Sequence, residues 1–473
     1  MQSAVVHAHF YQPPREDPWR DDVEPEPEAA PFRDWNARIT HECYEPFGAA
    51  RLLDADGHVT GTVNLYEWVS FDAAPTLLRW LELNAPGVYA TILAADRTSA
   101  GRRRGHGNGI AAPYNHVILP LVSPRDRATE IRWGLADFRR RFGREAEGFW
   151  LPETAVDEAT LVALAAEGVR FTILAPHQVE NLNLSGAPLS FAAGGGHTLA
   201  VFTYDGALAA DAAFGTLLRD GDELARRLAP PGTAAALYRQ PLRVTSVALD
   251  GETFGHHRKF GEMALARAVS VLGAQRRVVV DNFASVLARA PQGAPIRLVE
   301  PSSWSCIHGV ERWRSDCSCG AVPGASHAWR RPLRAALMWL ARELDARYAG
   351  EASRLFADPW TVRDAFGAVV GGSAAERDAF LAAHVLPTGD TSRALHLLEG
   401  VRARLGMFGS CAWFFDDVMG HETVLMLRLA AYAIDVMGTE QLERDFICRL
   451  AEAPGAPEAY RGRVVPMRAR AVR

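Results

Sequence analysis

Lysine is almost absent from this chain. Among 51 basic residues in 473, Lys259 is the only lysine and arginine supplies the rest, a bias that goes with abundant alanine and glycine and reflects a GC-rich genome rather than function. The formal net charge of -5 leaves no basic footprint for nucleic acid and no membrane-surface signal. Cysteine is scarce as well: six in a chain of this length do not build a disulfide framework, so a reduced, cytoplasmic setting is expected. No run reaches the uninterrupted apolar length of a membrane span. The opening MQSAVVHAHF lacks a basic segment and a long apolar stretch, so no secretory signal is expected. Internal repeats and low-complexity tracts are not found. With those classes set aside, the 48% hydrophobic and 23% charged composition reads as globular, and 473 residues predict a large domain plus a smaller one.

Up to about residue 300, short apolar runs alternate with helical stretches, the pattern of an α/β domain with a largely parallel sheet. Strands are expected at residues 4–8, 61–65, 148–151, 170–174, 244–249 and 296–299. Helices are expected at 124–142, 158–167 and 261–272. Beyond about residue 325 the strands give way to helical periodicity at 327–348, 392–405 and 422–436, which predicts an α-helical C-terminal domain. The basic tail at 462–473 is expected to fray.

Two stretches about a hundred residues apart carry the chemistry: GFWLPET around Glu153 and VTSVALDGETFGHH around Asp250. Each is an apolar strand that ends in a carboxylate, and a strand end holds a charged group rigidly. Alone, Glu153 reads as an early acidic residue before a helix, and Asp250-Gly251 as a turn. Around Asp250, however, Glu252, His256 and His257 crowd into one loop, with Glu252 a rival acid. His7 and His9 share one side of the first strand. That spacing fits a metal pair, a sugar contact or satisfied core histidines, and no further ligand cluster accompanies it. His116, in APYNHVILPL, is weaker by itself.

Cys306, His308, Cys317 and Cys319 have the composition of a Cys3His zinc site. Cys-x-Cys is tighter than the usual ligand spacing, so ordinary reduced cysteines are the favoured reading and no metal or cofactor is expected. Trp304, with Arg312 and Trp313 nearby, offers a sugar platform. In CAWFFDD, packing accounts for the aromatics, while Asp416 and Asp417 would be costly to bury without partners.

Taken in order, these motifs resemble glycoside hydrolase family 57, a family of α-glucan-active enzymes. His7-Ala8-His9 with Gln12-Pro13 resembles its first region, although Phe10 and Tyr11 stand between the second histidine and the glutamine. Residues 113–121 with His116 resemble the second, residues 148–153 the third, and residues 248–253 the fourth. The match at Glu300 to Trp304 is loose, and SSWSCIHGVERWRSDC and RLGMFGSCAWFFDD resemble a less characterised branch. The resemblance implies a (β/α)7 incomplete TIM-like barrel over residues 1–325, with an α-helical domain over 326–473 completing the cleft. It implies a retaining mechanism with Glu153 as nucleophile and Asp250 as acid/base, and thus carboxyls about 5–5.5 Å apart. His7, His9, His116, Trp150, Glu252, His256, Trp304, Trp413 and Asp416 become candidate contacts to an α-glucan substrate. Two rivals remain: a metal-dependent deacetylase using His7 and His9 on a similar barrel, and a non-catalytic α-glucan-binding protein.

Overall fold

The computed structural model describes residues 2–230, 242–275, 278–290 and 293–471. Contacts divide the chain into two compact units. The first comprises Met1–Gln12, Pro25–Ala112 and Phe138–Glu300; the second comprises Pro13–Glu24, Pro113–Asp137 and Pro301–Arg473. The division therefore falls at 300/301 rather than 325/326, and the second unit draws in two earlier segments as well.

Ten strands are found among the described residues, all in the first unit: β1 Gln2–Phe10, β2 Ala50–Leu53, β3 Val59–Val63, β4 Ser70–Ala73, β5 Gly109–Ile110, β6 Phe171–Leu174, β7 Leu189–Gly194, β8 His197–Thr203, β9 Arg243–Asp250 and β10 Val278–Asp281. β1 is the organising strand. Along one edge it pairs in parallel with β9, from Gln2↔Arg243 to His9↔Asp250. Along the other it pairs first with β10 and then with β4. β4 pairs in parallel with β5. Parallel bridges then join Ala111 to Phe149 and Gly148 to Phe171, and β6 pairs in parallel with β8. Residues 3–10 of β1 are all buried. A strand covered on both faces reads as a continuous apolar run, which is why His7 and His9 stand out in it.

The expected strands at 4–8, 170–174 and 244–249 correspond to β1, β6 and β9. Two others differ. The 61–65 run lies largely in β3, which pairs antiparallel with β2 in a separate two-stranded hairpin. Residues 296–299 make only a bridge from Leu298 to Val179. At 148–151 the two bridges stand in for a full strand, because Pro152 has no N–H to extend the pairing.

The second unit is helical, with helices Arg330–Ala352, Thr391–Gly406, His421–Met437 and Glu440–Leu450. Gly400 sets the approach of two of them, since a Cβ there would lie 2.7 Å from Val436 Cγ1. Their polar interior is an arginine network: Asp126 accepts from Arg363 at 3.0 Å and from Arg404 at 2.8 Å, and Arg404 also donates to Asp345 at 2.6 Å. Buried charges persist only when paired in this way. The tail departs from expectation. Val465–Ala471 is helical, Tyr460 is buried, and Arg468 donates to Glu443 at 2.8 Å.

Candidate functional site

Register builds the site. In the parallel pairing of β4, β1 and β9, His9 lies opposite Asp72 on one side and Asp250 on the other. Paired residues point to the same face, so three ionisable groups stand side by side at the C-terminal ends of three adjacent strands.

Asp72 is the hub. Its Oδ1 accepts from His7 Nε2 at 3.1 Å and its Oδ2 from His9 Nδ1 at 2.8 Å; the other nitrogen of His7, Nδ1, is 3.1 Å from Ser70 Oγ. Burial pushes the His7 pKa down, and Asp72 only partly offsets it, so His7 is the neutral Nε2–H tautomer accepting from the Ser70 hydroxyl. Burial also opposes a charge on His9, but Asp72 outweighs it by charge and hydrogen bond, with Asp250 and Glu252 adding to the effect. The His9 pKa is held at about 9. Asp72 is depressed in turn, chiefly by His9 against the cost of burial. The result is a buried Asp72⁻–His9⁺ pair with Trp150 stacked on both imidazoles, at 4.7 Å from His7 and 5.2 Å from His9.

A histidine whose folded pKa is raised contributes stability that is full below its unfolded pKa of about 6.5 and lost as pH rises through about 9. Thermal unfolding followed from pH 6 to 10 should therefore show wild type losing stability relative to His9→Gln across that window, by at most about 3 kcal/mol. A pH-independent difference between the two would show that His9 is not ionised.

Asp250 ends β9 and is reached by solvent. Gly251 lets the chain turn there, because a Cβ would lie 2.1 Å from Phe10. The Asp250 pKa is pushed up to about 7, first by desolvation and then by the charges of Glu252, Glu153 and Asp72, with His9 opposing. Glu252 is buried and committed: Tyr44 Oη donates to it at 2.6 Å and Tyr11 N–H at 3.2 Å. Those donors make it a brace for the loop rather than an acid.

Glu153 sits on a strained turn. Its φ is 57° and that of Thr154 is 47°, left-handed values that cost a non-glycine residue about 1–3 kcal/mol. Gln178 holds the turn, accepting from Thr154 Oγ1 and donating to the Thr154 carbonyl, both at 2.8 Å. The clamp holds the backbone at Thr154, next to Glu153, whose side chain is half-buried.

Several expected sugar contacts have other work. His7 is fully buried with both ring nitrogens engaged, and Trp150 is buried beneath the two histidines. His256 faces Glu42, at 2.5 Å, and the ring of Trp35. The remaining candidates belong to the second unit. His116 is buried with Nδ1 2.6 Å from Ser410 Oγ. Trp413 is fully buried, its indole N–H donating to the Arg330 carbonyl at 3.1 Å beneath the Arg334 guanidinium. Asp416 accepts from His327 Nε2 at 2.8 Å and from the N–H groups of Ala321 and Val322. Trp304 is half-buried. The sequence reading missed Asp72, Tyr44 and Gln178. Asp72 lies in the stretch Val69–Ala74 beside Ser70, too short and too polar for its role to show in the sequence.

Comparison with known proteins bears on both units. Residues 68–280 match the model of Glycosyl hydrolase family 57, and residues 326–465 match that of a domain of unknown function, DUF3536. A 4-alpha-glucanotransferase of Thermococcus litoralis is 25% identical over 132 residues, 27% of this chain and 19% of that protein. This chain thus spans about a fifth of that curated relative. An exo-type maltose-forming amylase from Pyrococcus sp. ST04 superposes with a TM-score of 0.73 at 16% identity, over 95% of this chain and 82% of the other. A branching enzyme from Thermococcus kodakaraensis gives 0.60 at 14%, over 97% and 96%. At such identities the likeness is one of fold. Among the described residues, no helix is long and apolar enough to cross a membrane.

Proposed function

We propose that this chain, whose residues 68–280 belong to glycoside hydrolase family 57, is a retaining enzyme that cleaves or transfers α-linked glucosyl units. The observation that carries the proposal is the pair of strand-end carboxyls in unlike states: Asp250 raised to about 7 in part by the charge of Glu153, and Glu153 fixed on a strained turn. Two carboxyls with separate environments are what a double displacement needs. Glu153 attacks C1 while Asp250 gives its proton to the departing glycosidic oxygen. Asp250, now a carboxylate, then takes a proton from water or from a sugar hydroxyl as that oxygen displaces Glu153. The acceptor decides between hydrolysis and glucanotransfer.

The barrel belongs to the same proposal. Parallel pairings pass from β9 through β1, β4 and β5 to the 148–149 segment, β6 and β8, and Asp205 N–H donates to the Ser246 carbonyl of β9 at 2.8 Å. That sequence of seven segments supports an incomplete (β/α)7 barrel. The deacetylase alternative loses its ligands, because the Asp72 carboxylate is occupied by the two imidazoles rather than held for a cation.

Incubation with maltooligosaccharides, followed by chromatography for shorter, longer and branched products, tests the proposal. Unaltered α-glucans would refute it. A second expectation concerns pH. An acid of pKa about 7 makes kcat/KM fall as pH rises through 7, about tenfold per unit. Glu252→Gln keeps an acceptor for Tyr44 but removes a charge that raises Asp250, so the limb should move to lower pH by on the order of one unit. An unmoved limb would show that another group supplies the proton.

A further inference from the structure

The second unit carries a cluster that the reaction does not use. Cys306, His308, Cys317 and Cys319 bring three sulfurs and one imidazole nitrogen within 4.8 Å of one another. We propose that these four residues bind one structural Zn²⁺ ion, with Cys306, Cys317 and Cys319 as thiolate ligands and His308 Nδ1 as the fourth.

The distances agree with this. Tetrahedral zinc with Zn–S arms of about 2.3 Å separates its sulfurs by about 3.8 Å and sets a nitrogen slightly closer. Cys306 Sγ and Cys317 Sγ are 3.7 Å apart, and His308 Nδ1 lies 3.2 Å from Cys317 Sγ and 3.6 Å from Cys319 Sγ. A disulfide would need about 2.05 Å. The pattern of four donors converging on one point, with two sulfurs well outside bonding range, is that of ligands around an ion.

The backbone shapes both arms of the cluster. Gly309 reverses the chain after His308 with φ of 84°, and its N–H donates to the Cys306 carbonyl at 3.1 Å. A Cβ there would lie 2.4 Å from the Pro301 carbonyl oxygen, so the turn needs glycine. Cys319 N–H points at Cys317 Sγ from 3.5 Å, a donor that steadies a thiolate. Around the cluster, His327 Nδ1 donates to the Cys317 carbonyl at 2.7 Å. Arg330 donates to the carbonyls of Cys317 and Cys319 at 3.2 and 3.1 Å. Binding releases three thiol protons to solvent and leaves a centre of net charge -1, which the fully buried Arg330 offsets. No oxidation is involved. The ion would pin an irregular loop that otherwise has only short helical turns.

The exposed Asp54, Asp56 and His58 form the other candidate group among the described residues, on a hairpin turn of the first unit. They provide the control. Protein isolated with reductant and without metal-affinity chromatography should contain one zinc per chain by elemental analysis. After exchange, Co²⁺ should give the visible bands of tetrahedral coordination with thiolate charge transfer. Cys319→Ser, at the half-buried edge of the cluster, should lose the zinc. His58→Ala and Cys448→Ser, the latter changing an exposed cysteine elsewhere, should each keep one. Should Cys319→Ser not fold, the stoichiometry and Co²⁺ spectrum of the wild type decide. Absence of zinc from reduced wild type even after incubation with zinc salt, octahedral Co²⁺ bands, retention of zinc by Cys319→Ser, or a Cys306–Cys317 disulfide in the reduced protein would each overturn the proposal.

Discussion

Glu153→Ala is expected to lower turnover on maltooligosaccharides by on the order of 10⁴-fold, because in the proposed mechanism Glu153 forms the glycosyl intermediate. That is about 5 kcal/mol of transition-state stabilisation. The fold should survive, since Glu153 is half-buried and the turn is held by Gln178. Its backbone sharpens the test. At φ of 57° the residue is strained, and glycine alone adopts that conformation without steric cost. Glu153→Gly should therefore be as inactive as Glu153→Ala yet more stable than it, by about 1 kcal/mol. Activity assays and thermal unfolding on the two variants read both effects. Near wild-type turnover in either would remove Glu153 from the mechanism, and equal stability would show that the turn carries no strain.

Asp250→Ala should cost on the order of 10²- to 10⁴-fold on α-glucans, the usual range for a positioned acid/base. The loss should depend on the leaving group. An aryl glucoside with an acidic phenol departs without a proton, so its first step should be nearly intact and the glycosyl-Glu153 intermediate should accumulate. Azide, which attacks without a general base, should then restore turnover and yield a glycosyl azide of retained configuration. An equal loss on all substrates with no azide rescue would exclude the acid/base role. Removing Asp250 also takes away one of the carboxylates that keep His9 charged, so the His9 pKa should fall from about 9.

The site was legible in the sequence to the extent that its parts are local. An apolar run that ends in a carboxylate is visible by reading along the chain, and so Glu153 and Asp250 emerged as candidates. The alternation that puts His7 and His9 on one face of β1 is equally local. Asp72 was overlooked because its meaning depends on pairing with histidines 63 and 65 positions earlier, which only the β1–β4 register supplies. Trp413 and Asp416 also depend on partners that local reading does not supply. In CAWFFDD the packing of the aromatics was anticipated, and the partners of Trp413 and Asp416 are Arg334 and His327, both distant in sequence. In the fold, the long helices followed from periodicity. β5, only two residues long, and β4, with two polar residues in four, carry too little pattern to be found.

If the proposed function holds, the level at which β4, β1 and β9 end bears on which sugars would be admitted. Of the carboxyl groups there, Asp72 is paired with the His9 imidazolium and Asp250, in the proposed mechanism, holds its proton, which leaves Glu153 and the buried Glu252 as the uncompensated neighbours that raise Asp250. Under the proposed function, such neighbours would disfavour uronic acids and sugar phosphates before any shape is compared and leave neutral saccharides unopposed.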